Sequence, residues 1–197
     1  MFTKIIASIL LLCSLPIIIF FALIIKAKYP GPIFYKQVRE GRNGQHFLIW
    51  KLRTMVSDAN ARLASIIEKD EQLAQEWKDF GCLKNDPRIA GKAGKLARRF
   101  SIDELPQLIN VLTGDMAFIG PRPIELALAE SLSEGQRMLR NSVKPGITGL
   151  WQVGPRSNVN LEQMMEFDMI YISRRNLRMD TSILLKTVVA VLRQTGN

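Results

Sequence analysis

Histidine is nearly absent from this chain: there is one, His46, in 197 residues. It falls in a glycine-containing polar turn and reads as a solvated loop residue. A histidine-rich metal site is therefore excluded, and neither a Ser-His-Asp nor a Cys-His catalytic unit is on offer. Cysteine is almost as scarce. Cys13 lies in an apolar leader and Cys82 in a charged region, which argues against a disulfide and for a reducing compartment. There is no internal repeat and no low-complexity tract. Gly91-Lys92-Ala93-Gly94-Lys95 has the glycines and lysines of a phosphate loop, but it lacks the Walker spacing and the Lys-Ser/Thr ending, so it is no nucleoside-triphosphate motif. Positive charge is plentiful: 27 Lys and Arg against 18 Asp and Glu, a formal net charge of +9. Such a surface suits nucleic acid, acidic lipid or phosphorylated small molecules. No nucleic-acid-binding motif is present, so no nucleic acid is expected as a partner, and the leader points to membrane lipid.

Ile5 to Ile25 carries no charged residue, and a run of about 20 apolar residues is long enough to cross a bilayer core. No small-x-small cleavage site follows it, which argues against a signal peptide. Lys4 precedes the run, and Lys26 and Lys28 follow it. The excess on the C-terminal side puts the following domain in the cytoplasm. Pro16 sits in mid-run, where it removes a backbone hydrogen bond and predicts a kink. Two readings stay open on these residues alone: a kinked helix that spans the bilayer, or a broken helix that enters and returns on the same face. Tyr29-Pro30-Gly31-Pro32 ends the segment. The chain thus divides into a leader, 1–28, and a domain, 29–197.

In that domain Ile33–Tyr35 and Phe47–Arg53 read as the strands of a hairpin around the polar turn Gln37–Gly44. Alternation puts Lys51 and Arg53 on one side, where two cations suit a diphosphate; a solvated basic face is the stronger reading for the pair alone. Asp58–Phe80 reads as one or two charged surface helices. Arg98 and Arg99 then lead into Phe100–Asn110, where adjacent carboxylates Asp103 and Glu104 precede the apolar series Leu105, Leu108, Ile109, Leu112. This predicts a helix that begins at or near Asp103 as N-cap, with Pro106 in its first turn. A Ser101–Glu104 capping box is the alternative. Either way the helix dipole favours ionised carboxylates, which can cap the helix, hold a divalent metal or attack phosphorus. Gly120-Pro121-Arg122-Pro123 fixes the backbone around Arg122, which suits a phosphate or an ion pair. Glu125–Leu139 and Leu161–Ile172 read as helices. Between them lies a long Gly/Pro-rich loop that carries Trp151, Gln152 and Arg156. Asp180–Leu192 is apolar over much of its circumference and reads as core or as an interfacial helix. The expected fold is α+β, a small hairpin sheet with several helices, two or three of them at the membrane plane.

In order and spacing, these motifs resemble the bacterial monotopic phosphoglycosyl transferases over nearly the whole chain. The resemblance rests on the Pro16 leader, Lys51-Leu52-Arg53-Thr54-Met55, Asn85-Asp86-Pro87-Arg88, Ser101–Leu108, Gly120-Pro121-Arg122-Pro123 and Lys144–Val153. It implies a re-entrant membrane helix, broken near Pro16, at the bacterial cytoplasmic (inner) membrane, with the catalytic domain on the cytoplasmic face. It also implies Mg²⁺ and a two-step reaction. Asp103 would attack the β-phosphorus of a UDP-sugar, UMP would leave, and undecaprenyl phosphate would take the phosphosugar from the aspartate. Glu104 would serve as metal ligand or proton acceptor beside Asp103. Arg98, Arg122 and Arg156 would hold phosphates, with Lys51, Arg53 and Gln152 as further substrate contacts. The Asp58–Phe80 insert and Gly149-Leu150-Trp151-Gln152 look more like the galactose or glucose types. The sequence departs from the family pattern at Ser14-Leu15-Pro16, where Ser-Pro is usual, at Phe100 and Ala97, and at Gly154-Pro155-Arg156. It leaves a homo-oligomer open. The rival reading is a non-catalytic, membrane-anchored adaptor that binds a lipid phosphate without turnover.

Overall fold

The computed structural model describes residues 2–154 and 159–193. Helix α1 (Phe2–Lys28) is continuous through Pro16. A proline removes one hydrogen bond, here to the Leu12 carbonyl, and a long apolar helix tolerates one such loss. Ser14 lies next to the defect and donates its hydroxyl to the Leu11 carbonyl at 2.8 Å, a back-bond common where helices bend. The helix is long and apolar enough to cross a membrane.

One face of α1 rests on the domain along almost its whole length. Ala7 packs with Ile49, Val111 and Met116. Phe21, Ala22 and Ile25 pack with Leu52, Ala90, Ala97 and Ile102. Burying a side chain such as Ile25 or Phe21 stabilises by about 1.5–3 kcal/mol against water, and by less against lipid, which is itself apolar. The opposite face, including Leu12, Ile19, Phe20 and Leu23, is exposed.

The hairpin pairs β1 (Phe34–Glu40) with β2 (His46–Leu52), antiparallel, from Phe34 opposite Leu52 to Glu40 opposite His46. It is longer than the sequence suggested. Gln37, Arg39 and Glu40 are polar but remain in strand, and the turn shrinks to the residues around Asn43 and Gly44, both with positive φ. Asn110 ties this hairpin to the next layer: its Oδ1 accepts from Trp50 N at 3.0 Å and its Nδ2 donates to Leu48 O at 2.8 Å.

The charged insert is two helices, α2 (Ala59–Lys69) and α3 (Glu71–Phe80), because Asp70 caps α3 by accepting from Gln72 N and Leu73 N. Trp77 of α3 lies 5.0 Å under the Arg88 guanidinium. Arg88 is itself locked to Asp86 by a buried ion pair of 2.6 Å. Then come α4 (Gly91–Arg99), a 3₁₀ turn (Ile102–Gln107) and α5 (Leu108–Thr113). A second sheet, invisible in the sequence, pairs β3 (Ala117–Ile119) in parallel with β4 (Gly146–Thr148); three-residue strands between glycines and prolines carry no period to read. The helix expected over Glu125–Leu139 is also two, α6 (Leu126–Glu130) and α7 (Glu134–Asn141), because Ser133 and Gln136 form a fresh capping box. Next are α8 (Leu150–Val153), α9 (Leu161–Arg174) and α10 (Leu177–Leu192). Leu177, Leu185, Val188 and Leu192 of α10 are exposed.

Candidate active site

The Asp103–Glu104 pair does not begin an α-helix. Ser101 takes a left-handed conformation, φ 56°, and its side chain caps nothing. The chain turns sharply there and enters the 3₁₀ turn with Asp103 and Glu104 in its first half. Neither the Asp103 cap nor the Ser101–Glu104 capping box forms. A left-handed serine is strained backbone, and such strain gathers where geometry matters for function.

The two carboxylates, adjacent in sequence, meet opposite surroundings. Glu104 Oε1 receives Arg122 Nη2 at 2.7 Å and Lys51 Nζ at 3.3 Å. Burial alone would raise its carboxyl pKa, but the Arg122 and Lys51 charges outweigh burial and hold it well below the usual range. Asp103 is also buried. Burial, and then the Glu104 charge, push its carboxyl above the usual range, although Lys51, Arg98 and Arg122 pull the other way. Among the described residues no hydrogen bond or ion pair engages the Asp103 carboxylate. Burial lowers the Lys51 ammonium, and Arg122 lowers it further. The Arg122 guanidinium also lies 6.0 Å from the Trp151 ring.

Lys51, Asp103, Glu104 and Arg122 thus come together, and Arg98 of α4 is near enough for its charge to bear on Asp103. Arg53 does not join them. It lies beyond the end of β2 and donates to the carbonyls of Pro30, at 2.8 Å, and Tyr29, at 2.5 Å. The alternation that placed it beside Lys51 stops with the strand. Gln152 Nε2 donates to Ile147 O at 3.0 Å, a contact within its own loop. Arg156 lies outside the described residues.

Sequence reasoning missed Arg39. It is buried on the hairpin face that carries Lys51, and its Nη2 is 3.3 Å from Glu125 Oε1. Extending β1 by two strand periods, from Tyr35 through Gln37, would have found it. It also missed the buried Arg140–Asp168 pair, for which the local sequence holds no signal.

A metal is compatible with this donor set in one way only. No group of three or more His, Cys, Asp or Glu among the described residues could hold an ion by itself. Asp103, and the Glu104 oxygen that the cations leave open, supply at most two carboxylates. Mg²⁺ is commonly held by one or two carboxylates completed by substrate phosphates and water.

A family model described as bacterial sugar transferase matches residues 1–194. The undecaprenyl-phosphate galactose phosphotransferase of Salmonella typhimurium is 42% identical over 167 residues, 84% of this chain and 34% of that protein. The UDP-glucose:undecaprenyl-phosphate glucose-1-phosphate transferase of Escherichia coli is 38% identical over 192 residues, 93% of this chain and 38% of its own length. The exopolysaccharide production protein ExoY of Sinorhizobium fredii is 35% identical over 199 residues, 100% of this chain and 86% of that one. The chain thus spans little more than a third of the first two relatives and most of the third. With a match across both the leader and the domain that carries the carboxylate pair, this chain belongs to the bacterial sugar transferases.

Proposed function

We propose that the protein transfers a hexose 1-phosphate, from UDP-galactose or UDP-glucose, to undecaprenyl phosphate as a first membrane step of polysaccharide synthesis. It works on the cytoplasmic face of the inner membrane, with α1 as a re-entrant anchor. The observation that carries this reading is the division of labour at the carboxylate pair. Glu104 absorbs two cations, and Asp103 is left buried, uncommitted and next to them. A poorly solvated carboxylate without hydrogen bonds is a better nucleophile than a capped or ion-paired one.

In the first step an Asp103 oxygen forms a bond to the β-phosphorus of the donor, and the bond from that phosphorus to the bridging oxygen breaks. UMP departs with the electron pair and the hexose phosphate stays on Asp103. In the second step a phosphate oxygen of the carrier attacks the same phosphorus. The bond to Asp103 breaks, and the carboxylate is restored. Neither step consumes a proton, so no general base is required. That suits Glu104, whose depressed pKa makes it a poor proton acceptor at neutral pH. Its part is to hold Arg122 and Lys51 at the height of the donor's phosphates, where they stabilise charge on the phosphoryl oxygens and on the leaving UMP. A Mg²⁺ ion held by Asp103 and the open oxygen of Glu104 would supply further charge neutralisation at the diphosphate. The names of the Salmonella and Escherichia coli relatives support the sugar and carrier classes.

The test is UMP release from a panel of UDP-sugars, in detergent with Mg²⁺ and undecaprenyl phosphate, for wild type and Asp103→Asn. One UDP-hexose should give UMP with wild type and none with the variant. Without carrier, wild type alone should hold a hexose phosphate through denaturation. Undiminished release by Asp103→Asn would overturn the covalent route; no binding of any UDP-sugar or release of UMP by folded wild type would leave the adaptor.

A further inference from the structure

Arg122 stands in a turn that its own neighbours only partly hold. Pro121 and Pro123 have no N–H, so the chain on either side offers few donors. Two backbone bonds fix the approach: Gly120 N to Thr148 O at 3.0 Å and Gly146 N to Pro121 O at 2.9 Å. The next carbonyl, that of Arg122 itself, lies past the end of β3. It accepts from a side chain: Arg140 Nη2 of α7, at 2.5 Å.

Arg140 has only 8% of its surface exposed, and Asp168 of α9 has 1%. The other arm of the Arg140 fork donates to Asp168 Oδ2. The guanidinium therefore spans two jobs. One nitrogen meets the buried carboxylate that neutralises it, and the other reaches the carbonyl of the residue whose own guanidinium meets Glu104. A buried ion pair is a weak source of stability, because apolar side chains of the same volume commonly do as well. Its rigid planar fork fixes direction in a way that apolar packing does not.

We infer that Arg140 and Asp168 are positioning residues for Arg122: the pair holds the Arg122 carbonyl, and so aims the Arg122 guanidinium at the phosphates of the donor. This rests on the reading of Arg122 as a phosphate ligand. Neither residue touches substrate. Displacing a phosphate ligand by as little as about 1 Å can lower turnover by roughly 100-fold. Loosening the turn should therefore be felt at the chemistry before it is felt in the fold.

The experiment is a mutant cycle on the full chain. Arg140→Lys keeps a positive charge beside Asp168 but cannot serve both arms of the fork. It should melt within a few degrees of wild type and lose about 10–100-fold in kcat/KM for the UDP-sugar. In an Arg122→Lys background the same change should cost less than about twofold, since a mispositioned side chain has little left to lose. Asp168→Asn should lose less than Arg140→Lys and show the same coupling. Equal losses in both backgrounds, or no loss in either, overturn the proposal. So does loss of the fold by both variants, which would make the pair purely structural. If wild type releases no UMP, the transferase reading has failed separately. The cycle is then read on UDP affinity by calorimetry, where an uncoupled result, or no UDP binding by wild type, overturns the positioning role.

Discussion

At the scale of the residue, Asp103 carries its charge where charge is poorly solvated. Its folded-state pKa is raised to about 6 by burial and then by Glu104, from 3.8. A carboxyl with a raised folded pKa binds protons more tightly folded than unfolded, so its contribution to stability is fully present below about 4 and is lost as pH rises towards about 6. Asparagine has no such charge. In EDTA, Asp103→Asn should therefore melt higher than wild type at pH 8, and the difference should shrink towards pH 4. The same variant is expected to be inactive, so stability and activity move in opposite directions at one atom pair. Melting curves across pH for the two proteins decide it. A difference that is absent, or that does not change with pH, would mean that the Asp103 carboxyl is better solvated than its surroundings imply.

At the scale of the element, the site was legible in the sequence where its signal is local, and hidden where it is not. The carboxylate pair, the proline-framed Arg122 and the cation Lys51 could be read from neighbours a few residues away. The partner of Arg39 lies 86 residues along the chain, and Asn110 reaches back 60 residues to Trp50. No local period records such pairings. The 3₁₀ turn was missed because the left-handed Ser101 defeats the usual capping rules, and a helix through Pro16 survives because one lost bond is a small part of its length. Arg53 is the instructive case. The strand ends at Leu52, and Arg53 turns to hold the exit of α1. Gly31, at φ 133°, lies so close that a Cβ there would strike the Arg53 guanidinium. Gly31→Ala should therefore cost about 1–3 kcal/mol, a fall of several degrees in Tm. Arg53→Met should also destabilise, through the two carbonyls it abandons, but should leave KM for the UDP-sugar within about twofold, whereas Lys51→Met should raise it about tenfold or more. A KM effect at Arg53 as large as that at Lys51 would return Arg53 to the substrate site.

At the scale of the whole molecule, the docking of α1 limits how the chain can meet a bilayer. The helix is about 40 Å long at 1.5 Å per residue, enough to cross. Yet its domain-facing residues run from Ala7 to Ile25, about 27 Å of helix, and Ala7 touches Ile49 of the hairpin and Val111 of α5. A helix that spans the membrane would put Ala7 on the far side from both. If α1 keeps this docking in the bilayer, both of its ends lie on the side of the domain, and the face left for lipid is the one that carries Leu12, Ile19, Phe20 and Leu23. Residue 3 is then expected on the cytoplasmic side. With Cys13 and Cys82 replaced by serine, Thr3→Cys should react with a membrane-impermeant maleimide in inside-out vesicles and not in intact spheroplasts, in parallel with a control cysteine at Lys69 on α2. Labelling of Thr3→Cys in spheroplasts while the Lys69 control stays protected would make α1 a span. It would then have to leave the surface of Ile49 and Val111 on entering the bilayer. Because those residues form a closed apolar cluster with Ala7 and Met116, a detached α1 would also expose them. Protection of the Val111 amide from hydrogen exchange in lipid vesicles provides a second, independent reading of the same question: it should match the protection of Met165, in a cluster to which α1 contributes no residue, if α1 stays docked, and fall below it if α1 detaches.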